Sequence, residues 1–335
     1  MYMFKYVMKR LGLMLMTFFI IFTMCFVLIK LLPIPTNALP GQDPQIKMNI
    51  LEGRGWITNV RPGPNGTFKY DRVPILVQYG NYLKRIITKG DFGIVTTYGE
   101  YLNMNIWQVF VDHLPPTVLI NIYSTLIGVP IGLGLGILAA LKKNKWQDQL
   151  INVFIILLIS IPAIVRALMI QYGFCFKLGW FTLTMDTSND YFTWKVFKSM
   201  LPAVFSLCLG SIVGYARYTR AELSEVLTGE FMLLARTKGL TKGQAISRHA
   251  MRNSMVVIFP SILSEFVGVL SGSLIIEKMF GINGVGGLYL GSINYQDYDF
   301  FMLLSGFYTL IGLAAGIVID ISYGFIDPRI RMGAK

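Results

Sequence analysis

EFMLLARTKGLTKGQAISRHAMRN, residues 230–253, is a basic, helix-forming island between long apolar segments. Leu223, Val226 and Leu227, then Phe231, Leu234 and Ala235, recur on one helical face, with charges on the other. Gly239 is where a helix can end in a left-handed conformation at little cost. Thr241 with Gln244 three residues on is a capping-box pattern that restarts a helix. The stretch therefore reads as helix, tight turn and helix along a membrane surface, with Arg236, Lys238, Lys242, Arg248 and Arg252 exposed. On these residues alone, adhesion to anionic lipid and docking to a partner account for it equally.

What surrounds the island sets the class. Of 335 residues, 54% are hydrophobic and only 14% charged, with a mean hydropathy of +0.55. Soluble domains carry about 25% charged residues, so the composition indicates a polytopic, all-α integral membrane protein. A span needs roughly 20 apolar residues. Six segments qualify: 11–32, 118–141, 150–176, 197–215, 255–276 and 301–325. The first is longer than a signal-peptide core, lacks a clear cleavage site after it, and is expected to be retained. The net charge of +12 serves topology and lipid headgroups, and no nucleic-acid motif accompanies it.

Short-loop cations set the orientation. Lys5, Lys9 and Arg10, then Lys142, Lys143 and Lys145, then the island, then Arg329, Arg331 and Lys335 fall on one side if there are six spans, placing both termini in the cytoplasm. Residues 33–113 then form an extracytoplasmic insertion after the N-terminal helix (1–32), and residues 114–335 a core of five spans with the cytoplasmic loop at about 217–253. Within the insertion, residues 73–87 read as an amphipathic helix, with Ile75, Leu76, Tyr79, Leu83 and Ile86 at helical spacing and a membrane interface as the expected resting place. Asn65-Gly66-Thr67 reads as a turn rather than a glycosylation site. Residues 280–299, rich in glycine, read either as a re-entrant or gating turn or as an ordinary loop.

Catalytic groups are not apparent. The chain has no P-loop, HExxH, GxSxG or paired carboxylates within a span, and Cys25, Cys175 and Cys208 are widely spaced in apolar runs. No metal or cofactor is expected. Arg166 and Glu265 lie near the middles of the third and fifth spans, where ionisable groups generally face a cavity or each other. Both a pore-facing role and a structural ion pair fit them. Asp320 reads as a helix-packing group, and Gly128, Gly132 and Gly136 as a small-residue face for close helix packing.

LLARTKGLTKGQAISRHAMRN resembles the cytoplasmic coupling loop of binding-protein-dependent ABC importer permeases, in particular the oligopeptide/dipeptide/nickel branch. In order along the chain, GDFG at 90–93, HLPPTVLINIYSTLIGVPIGLGLGILAAL at 113–141, ARYTRAELSEVL at 216–227, GSLIIEKMFGINGVG at 272–286 and IDPRIR at 326–331 agree with that branch. The resemblance implies a type I importer permease fold and a permease subunit that moves peptides. It implies a homologous second permease, two cytoplasmic ATPases that bind ATP and Mg, and an extracytoplasmic solute-binding protein, in a bacterial or archaeal cytoplasmic membrane. It places Leu234, Ala235, Arg236, Lys238, Gly239, Leu240, His249, Ala250 and Arg252 in the ATPase-coupling segment, with residues 234–240 as the contacting turn. Arg166 and Glu265 become candidates for the translocation path, and Gly281, Asn283, Gly284 and Gly286 for an outer gate. Leu233-Leu234 stands where the family often has Arg-Thr, which makes the expected ATPase contact more apolar; Asn283 stands where it commonly has Pro, which leaves the outer-loop turn different from the family's. Dipeptide, nickel chelate or another small solute is the alternative cargo, although His113 and His249 fall on opposite sides of the membrane. A secondary transporter is the alternative class; no internal repeat or paired broken span is evident, although Pro130 and Pro162 lie in successive helices.

Overall fold

The computed structural model describes residues 2–36, 43–64, 67–186 and 190–326. The expected turn at Asn65-Gly66 and most of the closing IDPRIR motif lie outside these residues. In chain order the elements are α1 (Tyr2–Leu31), α2 (Pro44–Gly53), a hairpin of β1 (Ile57–Pro62) and β2 (Phe68–Arg72), α3 (Ile75–Lys89) and α4 (Ile106–Leu141). There follow α5 (Trp146–Ser160), α6 (Ala163–Ile170), α7 (Trp194–Thr228), α8 (Glu230–Thr237), α9 (Lys242–Ala245), α10 (Met251–Gly268), α11 (Leu274–Met279), α12 (Val285–Asn294) and α13 (Tyr298–Ile326). Five of the helical stretches are long and apolar enough to cross a membrane, and six if one bent pair counts as a single span.

That pair corrects the continuous third span expected from the sequence. α5 and the stretch Ala163–Lys177 are bent by 100°. The residue before a proline is pushed out of the helical region, and Ile161 lies at φ −91°, ψ 120° ahead of Pro162. Pro130, by contrast, sits inside an unbroken α4. The fifth span also ends earlier than expected, because α10 tightens at Val269–Ser271 and the chain turns at Gly272 with φ +66°.

The chain divides into two compact units. One is built on Pro115–Gly286 with the described parts of Met1–Gly12 and Ile311–Lys335. Its spine is the close pairing of α4 and α7. A Cβ on Gly128 would lie 2.9 Å from Ser211 Cβ, on Gly132 2.8 Å from the Ile212 carbonyl, and on Gly136 2.6 Å from Thr219 Cβ. The three glycines thus let two backbones approach until not even a Cβ fits at these positions, as their spacing predicted. α5 is tied to this pair by Arg220 on α7, whose Nε and Nη2 donate to Asp148 at 2.6 and 2.9 Å. Asp148 also accepts from the Asn144 backbone at 2.9 Å, which fixes the tight α4–α5 turn. Asp320, read as a packing group, pairs with Arg10 at 2.9 Å and joins α13 to α1.

The other unit comprises Leu13–Leu114 and Gly287–Leu310. Here α3 is amphipathic as expected, and Tyr79 and Tyr82 pack on Phe22, Phe26 and Met302. Ile75, Leu83 and Ile86 join that face; Leu76 does not, and is 79% exposed. β1 and β2 pair antiparallel with Ile57 opposite Arg72. A buried ion cluster binds the unit: Asp299 meets Arg54 at 2.9 Å, Lys30 at 3.8 Å and Arg85 at 3.9 Å. Its neighbour Asp297 accepts from the backbone N–H groups of Thr96 and Thr97 at 2.6 and 2.9 Å. Burial pushes the Asp297 carboxyl up, while those N–H groups act against it.

Candidate functional site: a polar turn and a glycine-bound loop

The island at residues 230–253 begins with a break. Gly229, at φ −70° and ψ 150°, interrupts the helix between α7 and α8, so the apolar phase of α7 is not carried into α8. Met232 and Ala235 are the residues that face inward, packing with Ala140, Leu223, Ala245 and Ala250. Phe231 and Leu234, expected on that same face, are instead 37% and 56% exposed, and Leu233 is 68% exposed. The sequence reading assumed one uninterrupted helix; the break rotates α8 and turns an apolar pair outward.

The turn itself is built as its residues dictate. Gly239 has φ +87°, a conformation that costs a residue with a side chain, and its N–H donates to the Arg236 carbonyl at 3.0 Å. Leu240 N–H reaches the Ala235 carbonyl at 3.3 Å. The capping box is complete: Gln244 N–H donates to Thr241 Oγ1 at 3.3 Å, and Thr241 N–H to Gln244 Oε1 at 3.1 Å. Arg236, Lys238, Gly239, His249 and Arg252 are all exposed, Leu240 is half-buried and Ala250 is buried. A cavity of about 520 Å³ lies beside α8, between its Met232–Arg236 side and the end of α4, with Lys143 and Lys242 also on its wall.

The glycine-rich segment is ordered around a carboxylate that the sequence reading passed over. Glu277 on α11 is fully buried. Its Oε1 accepts from Thr117 Oγ1 at 3.1 Å and from Ser273 N–H at 3.3 Å, and its Oε2 from Gly286 N–H at 2.8 Å. Thr117 Oγ1 in turn accepts from Val285 N–H at 2.9 Å. Gly284 and Gly286 are buried against this group, Gly281 turns with φ +59°, and Asn283 is exposed at the tip. A charge set among four glycines (272, 281, 284 and 286) was the available signal.

Arg166 and Glu265 are not brought together. No ion pair among the described residues joins them; Glu265 instead accepts from Ser211 on α7. Both are half-buried, and the Nε of Arg166 is buried with no hydrogen-bond partner among the described residues.

Spans packed along a glycine seam, with a structured polar turn between two of them, are the build of a polytopic membrane protein. The chain belongs to the binding-protein-dependent transport system inner membrane component family, which residues 132–332 match. It is 30% identical to the dipeptide transport system permease protein DppB of Bacillus subtilis, over 99% of each chain. It is 28% identical to the oligopeptide transport system permease protein OppB of Haemophilus influenzae, over 98% of this chain and all of that one. In fold it is similar to a crystal structure of an amino acid ABC transporter with histidines, at a TM-score of 0.51 and 19% identity, over 65% of this chain and 94% of the other. The chain is accordingly a multi-pass transmembrane permease subunit of an ABC importer.

Proposed function

We propose that this permease subunit moves peptides inward, driven by ATP hydrolysed in two partner ATPases and fed by an extracytoplasmic solute-binding protein. The relatives named above, one a dipeptide and one an oligopeptide permease, support peptide as the cargo. The single observation that carries the coupling is the α8–Gly239–α9 turn. It offers an outward apolar pair, Leu233 and Leu234, beside exposed Arg236 and Lys238. An apolar knob inside a cationic collar suits a cleft with an apolar floor and acidic rim on a soluble ATPase. Met232 and Ala235 anchor the other side of the helix to α4 and α7, so a push on the knob is delivered to the spans.

A homologous second permease completes the pore. The exposed apolar residues of α5, among them Leu150, Phe154, Leu157 and Ile159, suit a partner helix or lipid equally. Arg166 and Glu265, unpaired with each other, are assigned to the translocation path, where they meet the charged ends of a peptide. Both termini and the α8–α9 turn face the cytoplasm. The loop at Gly281, Asn283, Gly284 and Gly286 lies at the outer mouth. ATP and Mg bind in the partner chains, and this chain needs no cofactor of its own.

The test is uptake by vesicles containing the assembled importer, with labelled peptides of defined length. The expected result is accumulation that requires ATP and the solute-binding protein together. Uptake that follows an ion gradient and ignores ATP would overturn the reading in favour of a secondary transporter. Arg166→Gln and Glu265→Gln should change peptide preference; unchanged uptake and preference in both would remove them from the path.

A further inference from the structure

The α8–α9 turn and the outer loop are both attached to α4, at points far apart along it. At one end of α4, Ala140 packs against Met232 and Ala235 of the turn. About a third of the way along α4 from its other end, Thr117 is fully buried and holds Glu277 on α11 and Val285 at the start of α12, on either side of the loop. About 35 Å of helix, one bilayer thickness, lies between them. Along that length Gly128, Gly132 and Gly136 pack α4 closely onto α7.

We infer that Thr117 and Glu277 are positioning residues that join the α4–α7 rod to the outer loop, so that motion taken up at the coupling turn repositions the loop at the mouth. The inference rests on the proposed outer-gate role of that loop. The joint is specific in its chemistry. One hydroxyl donates to Glu277 Oε1 while accepting from Val285 N–H, and the other carboxylate oxygen takes Gly286 N–H. The loop's backbone is thereby threaded over a single side-chain pair. Glycine is required where it passes closest: a Cβ on Gly286 would sit 2.7 Å from Glu277 Oε2, and one on Gly272 would sit 2.7 Å from Thr117 Cγ2. A Cβ on Gly284 would collide with both Glu277 and Thr117.

The distinguishing variants are Thr117→Val, which keeps the shape and removes the hydroxyl, and Thr117→Ser, which restores it. The probe is an Asn283→Cys substitution at the exposed tip, labelled with a bulky impermeant maleimide in the complete importer, after Cys25, Cys175 and Cys208 are replaced. Labelling is compared between nucleotide-free and ATP-trapped complexes, and transport per ATP hydrolysed is measured alongside. The expected result is a nucleotide-dependent change in labelling that is lost in Thr117→Val and returns in Thr117→Ser. With it, transport per ATP falls about tenfold or more, the scale set by the two buried hydrogen bonds that the hydroxyl makes. Gly286→Ala, which displaces Glu277 without touching Thr117, should act like Thr117→Val. Retention of the full labelling change in Thr117→Val and Gly286→Ala overturns the joint while leaving the outer gate intact. No nucleotide-dependent change in the parent complex, with uptake normal, overturns the outer-gate role and the joint with it.

Discussion

Replacing Asp299 by asparagine should strongly destabilise the unit that holds α2, α3 and the β-hairpin. The carboxylate is 2% exposed and faces three cations: Arg54 at 2.9 Å, Lys30 at 3.8 Å and Arg85 at 3.9 Å. At an effective dielectric of about 20 the Arg54 pair alone gives roughly 5–6 kcal/mol of Coulomb attraction, most of it offset by desolvation of the two ions. Removing the anion leaves the desolvation without the attraction, a net cost of about 3–5 kcal/mol. For a chain of this size that lowers the thermal midpoint by roughly 5–10 °C. The assay is the fraction of detergent-solubilised protein that stays monodisperse after heating, read by size-exclusion fluorescence. Lys30 supplies the internal control. Its Nζ sits 3.0 Å over the Trp56 ring centroid, in a slot that methionine fills, and Lys30→Met leaves the Arg54 contact in place. Lys30→Met should therefore cost less than Asp299→Asn, and added to it should recover about 1 kcal/mol by removing a stranded cation. A midpoint for Asp299→Asn within a degree of the parent would refute the argument, as would simple additivity of the two losses.

Other outcomes follow from the same geometry. Gly136→Val places a branched side chain where a single Cβ already meets Thr219 at 2.6 Å, so α4 and α7 must separate. The expected loss is about 1–3 kcal/mol by the same heating assay, against a negligible change for Gly134→Val, whose Cβ position meets nothing within 4 Å. Thr241→Ala removes the capping box and should raise hydrogen exchange of the α9 amides by roughly five- to tenfold, the equivalent of about 1 kcal/mol. Gly239→Ala, at φ +87° with open space around it, should cost about 1 kcal/mol through backbone strain alone.

How much of this was legible in the sequence depended on whether a signal was local. The capping box at Thr241 and Gln244, the left-handed Gly239 and the Gly128–Gly132–Gly136 seam each rest on residues a few positions apart, and each was readable. The bend at Pro162 was also local in its cause. It was hidden because residues 150–176 are apolar on both sides of the break, and hydropathy carries no angle. The outward turn of Leu234 was missed because periodicity was carried through Gly229, where the backbone leaves the helix. Glu277 was passed over for a different reason. Its partner Thr117 lies 160 residues away, and only the fold brings the hydroxyl to the carboxylate. Asp299 likewise gathers cations from α1, the end of α2 and α3, which no spacing rule connects.

The central claim is that the α8–Gly239–α9 turn seats in a partner ATPase and drives the spans. A single cysteine at Leu234, exposed and next to the turn, tests it most directly when the assembled importer is treated with a short thiol crosslinker. The expected result is one crosslinked product with an ATPase subunit, varying in yield between nucleotide-free and ATP-trapped states, and absent for a cysteine at Asn283. The absence of any Leu234–ATPase product in every nucleotide state, from a complex that still transports, would contradict the account.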